Sequence, residues 1–296
     1  MVSKLIARKA KQFCSIREIK SEVEEIKEGV PQGGHLALTL YLIYTENLKN
    51  LPLHGKLFLY ADDTTILHSG YEINNIQNNI NDDLKQIETW MTHHQLTINT
   101  TKTKYMIIHN NKNLNINIKY KNETLEKVLN FKYLGIWFDH KMSWEIHTKY
   151  LKSKLSAIAG ILKKIGKVTL LNSLLPIYHS MFQSHILYGL PVWTNITKKN
   201  VSCISVIQNK AIRNVFNLKK TTRTYLLYKK NNLLPFEELM NISILIHTHN
   251  IINNFILSNT YFERNNSVHA YSTRSSNNLR QYNINSAKFG TTSIRN

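Results

Sequence analysis

Hydrophobic positions run through this chain in two rhythms. Ile73, Ile76, Ile80, Leu84, Ile87, Trp90 and Met91 recur every three or four places, with an Asn-rich face between them. That spacing predicts an amphipathic helix from Glu72 to His93. Leu151, Leu155, Ile158, Leu162 and Ile165 step by 4, 3, 4 and 3 and predict a second one, with Lys149, Lys152, Lys163 and Lys164 off the stripe. Leu36, Leu40, Ile43 and Tyr44 share the helical spacing and predict a buried helix. The shorter rhythm appears in KLFLYADDTTILHS, two apolar and β-branched runs around Ala61-Asp62-Asp63, which predict a β-hairpin. KTKYMIIHN, LNINIKY and FKYLGIWFDH predict a second sheet region, and helical material is expected from Leu170 to about Ile256. After Ser258 the chain is rich in Asn, Ser and Thr with few aliphatics, and little order is expected there.

Charge changes the picture. The 296 residues hold 38 Lys+Arg against 19 Asp+Glu, a formal net charge of +19, with 42% hydrophobic residues. The apolar content excludes a disordered charged tail as the main body, and the length allows one large domain or two smaller ones. The excess of basic residues points to a polyanion, most simply nucleic acid. Two cysteines, Cys14 and Cys203, build neither a disulfide framework nor a zinc cluster and favour a reducing, intracellular setting. No apolar run approaches the roughly 20 residues that span a bilayer, so a membrane channel is excluded. The acid-free opening MVSKLIARKAKQFCSIR has too little Ser for a typical transit peptide and is read as a strand or turn.

Metal chemistry on aspartate must draw on five residues: Asp62, Asp63, Asp82, Asp83 and Asp139. Asp62 and Asp63 sit at the expected hairpin turn, where adjacent carboxylates repel unless a cation neutralises them. Hard oxygen ligands favour Mg²⁺ or Mn²⁺, and a pair of such ions serves in-line phosphoryl displacement. The competing reading is a solvated turn, since Asp is common in hairpins. The GVPQGG loop, with Gly29, Pro31, Gln32 and Gly33, permits close backbone approach to a bound base, though by itself it reads more readily as an ordinary helix-start turn. His93-His94 with Asp82-Asp83, His247 with His249, and Ser184-His185 lack the spacing or the third member that a metal or nucleophilic site needs. Trp137 and Trp144 are read as core rather than base-stacking residues.

Taken in order, GVPQG, a helix, LFLYADDTTIL, W…LTIN..KT and FKYLGIWFDHKMSWEIH resemble the reverse transcriptase of non-LTR (LINE-type) retrotransposons, across roughly residues 29–150. The helical stretch to about Asn217 is similar to that family's thumb, and the tail to the segment that follows it in insect-type elements. The resemblance implies an RNA-directed DNA polymerase, a nucleotidyltransferase of a transposable element, using an RNA template, a DNA primer, dNTPs and Mg²⁺ or Mn²⁺. It implies Asp62 as the principal metal ligand, Asp63 as its supporting carboxylate and Tyr60 lining the primer end. Gln32 would touch template or nucleotide, Lys102 would lie near the leaving pyrophosphate, and Phe131 to Ile136 would form a primer-grip hairpin. Lys149, Lys152, Lys163 and Lys164 would face the duplex backbone without sequence preference.

Two departures shape the expectation. The family takes a further aspartate from a strand well upstream of GVPQG, in a stretch like F-D-x-x-x-A-F-D, and no Asp precedes Asp62 here. The loop continues GVPQGGHLALTLY where the family has GVPQGSVLGPLLF. The expected product is therefore a 5′-truncated copy, α/β in class: a right-hand polymerase palm with a small antiparallel sheet plus a helical thumb, fingers largely missing. Its expected divisions are 1–28 (remnant of fingers and palm), 29–145 (palm), 146–220 (thumb) and 221–296 (helical segment and tail). Alone it is expected to lack polymerase activity. The alternative is a non-catalytic basic nucleic-acid-binding remnant; a group II intron maturase is a third reading, against which the FKYLG…W..H stretch argues. A nuclear or cytoplasmic location is expected.

Overall fold

The computed structural model describes residues 11–25, 36–109, 114–121, 123–253 and 255. They fall into two compact units, one of residues 1–105 and 113–127 and one of residues 106–112 and 128–296.

The first unit is organised by the helix Ile73–His93. Its apolar stripe serves two clusters: Leu84 with Ile118, Tyr120 and Leu125, and Ile87 and Trp90 with Leu48. Leu57 and Ile66, paired across the hairpin Lys56–Tyr60 and Asp63–Leu67, pack onto the second. The predicted hairpin and helix are thus both present. The second sheet region is sparser than expected. Lys104–Tyr105 pairs in parallel with Glu126–Lys127, and Lys119–Tyr120 pairs antiparallel with Glu123–Thr124, each over two residues. Among the described residues every sheet is two-stranded, so helices and short ladders alternate without one continuous sheet.

The expected buried helix needs correction. Ala37–Thr45 is helical, but Thr45 is its only buried residue, and Leu36 and Ile43 are 68% and 52% exposed. Its apolar residues lie all round the axis, so no single face can be covered by one neighbour.

The second unit begins with the hairpin Asn130–Tyr133 and Ile136–Asp139, whose turn places Leu134 and Gly135 at φ 44° and 84°. Two successive left-handed residues match the right-handed twist of the flanking strands. Asp139, 5% exposed, ends the hairpin and starts the next helix. Its carboxylate accepts from the amides of Lys141, Ser143 and Trp144 at 2.9–3.1 Å. Those bonds hold the turn that leads into the helix Glu145–Ile165, whose N-cap residue is Trp144. The stripe Leu151, Leu155, Ile158, Ala159 and Leu162 is buried as predicted, against Ile204, Ala211 and Ile212 of the helix Lys198–Val215. Asn214 Nδ2 donates to the Ala159 carbonyl at 2.7 Å across that interface. Leu171–Ile177 contains Pro176 and runs into a π-helical turn, Tyr178–Gln183. Proline denies the preceding turn an amide, and the wider turn accommodates this.

His147 lies inside this unit, 4% exposed, with Nδ1 accepting the Trp137 amide at 3.4 Å and its ring edge-on to Trp193 at 5.1 Å. Burial, with the Lys132 charge adding to it, pushes the imidazole down from 6.5 to about 4. Between those two values the unfolded chain binds a proton that the folded unit does not, so stability falls as pH drops from 6.5 towards 4. Thermal unfolding across that range is expected to show the loss, and His147→Phe is expected to flatten it. A parallel decline in both proteins would assign the effect elsewhere.

Candidate active site

The hairpin register pairs Leu57 with Ile66, Leu59 with Thr64 and Tyr60 with Asp63. Side chains alternate across a strand, so Phe58, Tyr60 and Asp63 share the face opposite Leu57 and Ile66. That face is open: Phe58 is 49% and Tyr60 63% exposed. Ala61 and Asp62 form the turn, with Ala61 at φ 49°. A left-handed alanine costs about 1–2 kcal/mol, strain held at the point where the two carboxylates meet.

Asp62 and Asp63 are both exposed, and neither accepts a hydrogen bond or ion pair from a described residue. The Tyr41 phenol is pushed up by burial and by the Asp62 carboxylate, which puts the Ala37–Thr45 helix within electrostatic reach of the turn. Two adjacent, unengaged hard-oxygen groups suit Mg²⁺ or Mn²⁺. The count is short of a closed site, since no group of three His, Cys, Asp or Glu converges among the described residues.

The other aspartates have different partners. Asp83 is fully buried and accepts from the amides of His54 and Gly55, each at 2.9 Å. Asp139 holds the turn before a helix, as described above. Asp82 is exposed, 3.6 Å from Lys85. His94 stacks on Trp90 at 3.8 Å with its Nδ1 on the Trp90 carbonyl, so the His93-His94 pair and Asp82-Asp83 do not converge. Ser184 Oγ lies 3.3 Å from His185 Nδ1 on an exposed turn.

Gly29, Pro31, Gln32 and Gly33 lie outside the described residues. Lys102 is exposed in a turn in which Asn99 Oδ1 accepts from Thr101 Oγ1 at 2.6 Å and the Lys102 amide at 3.2 Å. No ion pair joins its Nζ to Asp62 or Asp63. In the second unit Lys149, Lys152, Lys163 and Lys164 are exposed, off the buried stripe of their helix. Lys132 Nζ lies 4.8 Å from the Tyr150 ring centre. Residues 146–236 contain 15 Lys and Arg and no Asp or Glu.

The reading from sequence missed Asp83, His68 and Gly55 at the base of the hairpin. A signal was present: Asp83 falls in register with Ile76, Ile80, Ile87 and Trp90, a carboxylate on an apolar stripe.

The model of the family described as reverse transcriptase (RNA-dependent DNA polymerase) matches residues 2–138. The chain is 24% identical over 215 residues to the RNA-directed DNA polymerase from mobile element jockey of Drosophila melanogaster, covering 68% of this chain and 23% of that protein. To the probable RNA-directed DNA polymerase from transposon BS of the same organism it is 25% identical over 236 residues, covering 75% and 26%. To the putative 115 kDa protein in type-1 retrotransposable element R1DM it is 24% identical over 183 residues, covering 60% and 18%. The chain thus spans about a quarter or less of these relatives' length. No solved structure matches it significantly. Among the described residues no helix is long and apolar enough to cross a membrane. The YADD hairpin lies inside the matched span, and over residues 2–138 the chain is similar to the reverse transcriptases of non-LTR retrotransposons.

Proposed function

We propose that Asp62 and Asp63 are metal-binding carboxylates of an RNA-directed DNA polymerase that extends a DNA 3′-OH on an RNA template. One observation supports this above the rest: two exposed carboxylates with no hydrogen bond or ion pair from the described residues, at a strained turn, within the span that matches the family. A bound pair of Mg²⁺ ions would stabilise both the attacking and the leaving oxygen of the in-line displacement. Tyr60, sharing a face with Asp63, lines the primer end. Gln32, in the Gly29–Gly33 loop with Pro31, touches template or nucleotide. Lys102 lies near the departing pyrophosphate, and residues 131–136 grip the primer as part of a palm, with the helical unit as thumb. Lys149, Lys152, Lys163 and Lys164 bind backbone phosphates. Asp83 and Asp139 have their oxygens on backbone amides, so the hairpin needs a carboxylate from elsewhere, and the chain by itself extends no primer.

The acid-free span of residues 146–236 favours a second reading, a basic module that binds nucleic acid without catalysis. Mn²⁺ titrated into the full chain distinguishes the two, read by paramagnetic broadening of the signals of residues 60–64. Asp62→Ala is expected to weaken that binding by at least the roughly 10- to 100-fold that loss of an outer-shell partner costs. No broadening at the hairpin would overturn the polymerase reading and leave the binding module. Extension of oligo(dT) on poly(A), abolished by Asp62→Ala, would overturn only the statement that the chain is inactive by itself.

A further inference from the structure

We infer that Asp83 is a positioning residue that sets the orientation of the hairpin carrying Asp62 and Asp63. The inference rests on the reading of those two residues as metal ligands, and deepens it.

Asp83 lies on the stripe of the Ile73–His93 helix and is 0% exposed. A buried carboxylate persists only when its oxygens are well partnered. Its Oδ1 accepts from the His54 amide and its Oδ2 from the Gly55 amide, both at 2.9 Å. His68 Nε2 stands 3.3 Å from Oδ2, too poorly aligned for a hydrogen bond but inside electrostatic reach, and its side chain is 8% exposed. His54 and Gly55 lead directly into the first strand at Lys56, and His68 directly follows the second at Leu67. One carboxylate therefore ties the entry of the hairpin to the helix through two amide bonds and lies 3.3 Å from His68 at its exit.

Gly55 makes the arrangement possible. A Cβ there would lie 2.6 Å from His68 Nε2 and 2.7 Å from Ile66 Cγ2, so any side chain would displace the histidine. The blander reading is a carboxylate that only caps a loop. Against it stands the poverty of the hairpin's other restraints: it has two strands, no further strand partner among the described residues, and one open face. Five residues of strand make a lever of about 17 Å from the clamp to the turn, so a tilt of about 5° moves Asp62 by about 1.5 Å. A displacement of about 1 Å at reacting groups costs about 10²-fold in rate.

The test is amide hydrogen exchange of the full chain, with no metal or nucleotide, joined to the Mn²⁺ titration. Asp83→Asn keeps the size but turns an amino group towards one of the two amides. It is expected to speed exchange of residues 57–67 by about 10-fold while the helix Lys198–Val215 and the C-terminal half of Ile73–His93 change less than about twofold. With Asp62 and Asp63 intact, Mn²⁺ affinity is expected to fall by about 10-fold or more. His68→Gln leaves both amide bonds in place and is expected to speed exchange about threefold at the same residues. A rise spread evenly over residues 36–105, or no rise at the hairpin in either variant, would overturn the inference. Failure of Mn²⁺ to bind the unmodified chain would instead sink the reading of Asp62 and Asp63, with the exchange result still deciding whether Asp83 holds the hairpin.

Discussion

Affinity of the full chain for a nucleic-acid duplex of mixed sequence is expected to fall by about 10³- to 10⁵-fold between 50 and 200 mM salt, the loss that accompanies 6–10 phosphate contacts. The charge for this lies in residues 146–236, a stretch with 15 basic side chains and no carboxylate of its own. Lys149, Lys152, Lys163 and Lys164 are exposed on a helix whose opposite stripe is buried, so the same side chains that leave the core are free to meet phosphates. Replacing these four by Gln is expected to reduce the slope of log affinity against log salt by about 4, nearly one per phosphate contact. Asp62→Ala, in the other unit, is expected to leave both slope and affinity unchanged. Fluorescence anisotropy with a labelled duplex measures all three proteins, and a flat salt dependence would refute the electrostatic account.

The second large effect is on stability. Trp193→Ala is expected to cost about 3–5 kcal/mol, which lowers the unfolding midpoint of a unit of this size by about 6–20 °C. The indole is fully buried and joins four parts of the chain. It stacks on Phe236 at 6.0 Å and 20°, meets His147 edge-on at 5.1 Å, and donates its Nε1–H to the Tyr188 carbonyl at 3.1 Å. Tyr188 in turn donates its hydroxyl to the Leu134 carbonyl at 2.6 Å, at the tip of the 130–139 hairpin. Removing the indole therefore opens a cavity where helix, hairpin and C-terminal segment meet. Trp193→Phe keeps the stacking but orphans one carbonyl, and is expected to cost about 1–2 kcal/mol. Circular dichroism melts compare the three proteins, and a loss below about 1 kcal/mol for the alanine variant would show that the site collapses around the gap.

Much of the hairpin that carries Asp62 and Asp63 was legible in the sequence. LFLYADDTTIL names its strands by β-branched and apolar content and its turn by the aspartates; the hairpin is present, with Asp63 in the second strand and only Ala61 and Asp62 in the turn. The 145–165 helix was equally plain, because Leu151, Leu155, Ile158 and Leu162 repeat at the period of the helix itself. Burial was less readable. The spacing of Leu36, Leu40 and Ile43 predicted a buried helix, yet Leu36 and Ile43 are largely exposed. Periodicity reports which residues share a face and is silent on whether anything covers it.

Asp83 marks the same boundary more sharply. Its position on an apolar stripe was visible in the sequence, but its partners are backbone amides 28 and 29 residues away, and amides leave no trace in residue identity. Asp139 is similar: its adjacency to a turn was evident, its hydrogen bonds to the amides of that turn were not. By itself the sequence determined the local elements, the charge that selects a polyanion and the motif order of the family, because each depends on neighbours within a few residues. Only the tertiary structure decided which carboxylates stay exposed and which are held on backbone amides, because that choice depends on groups brought together from distant parts of the chain.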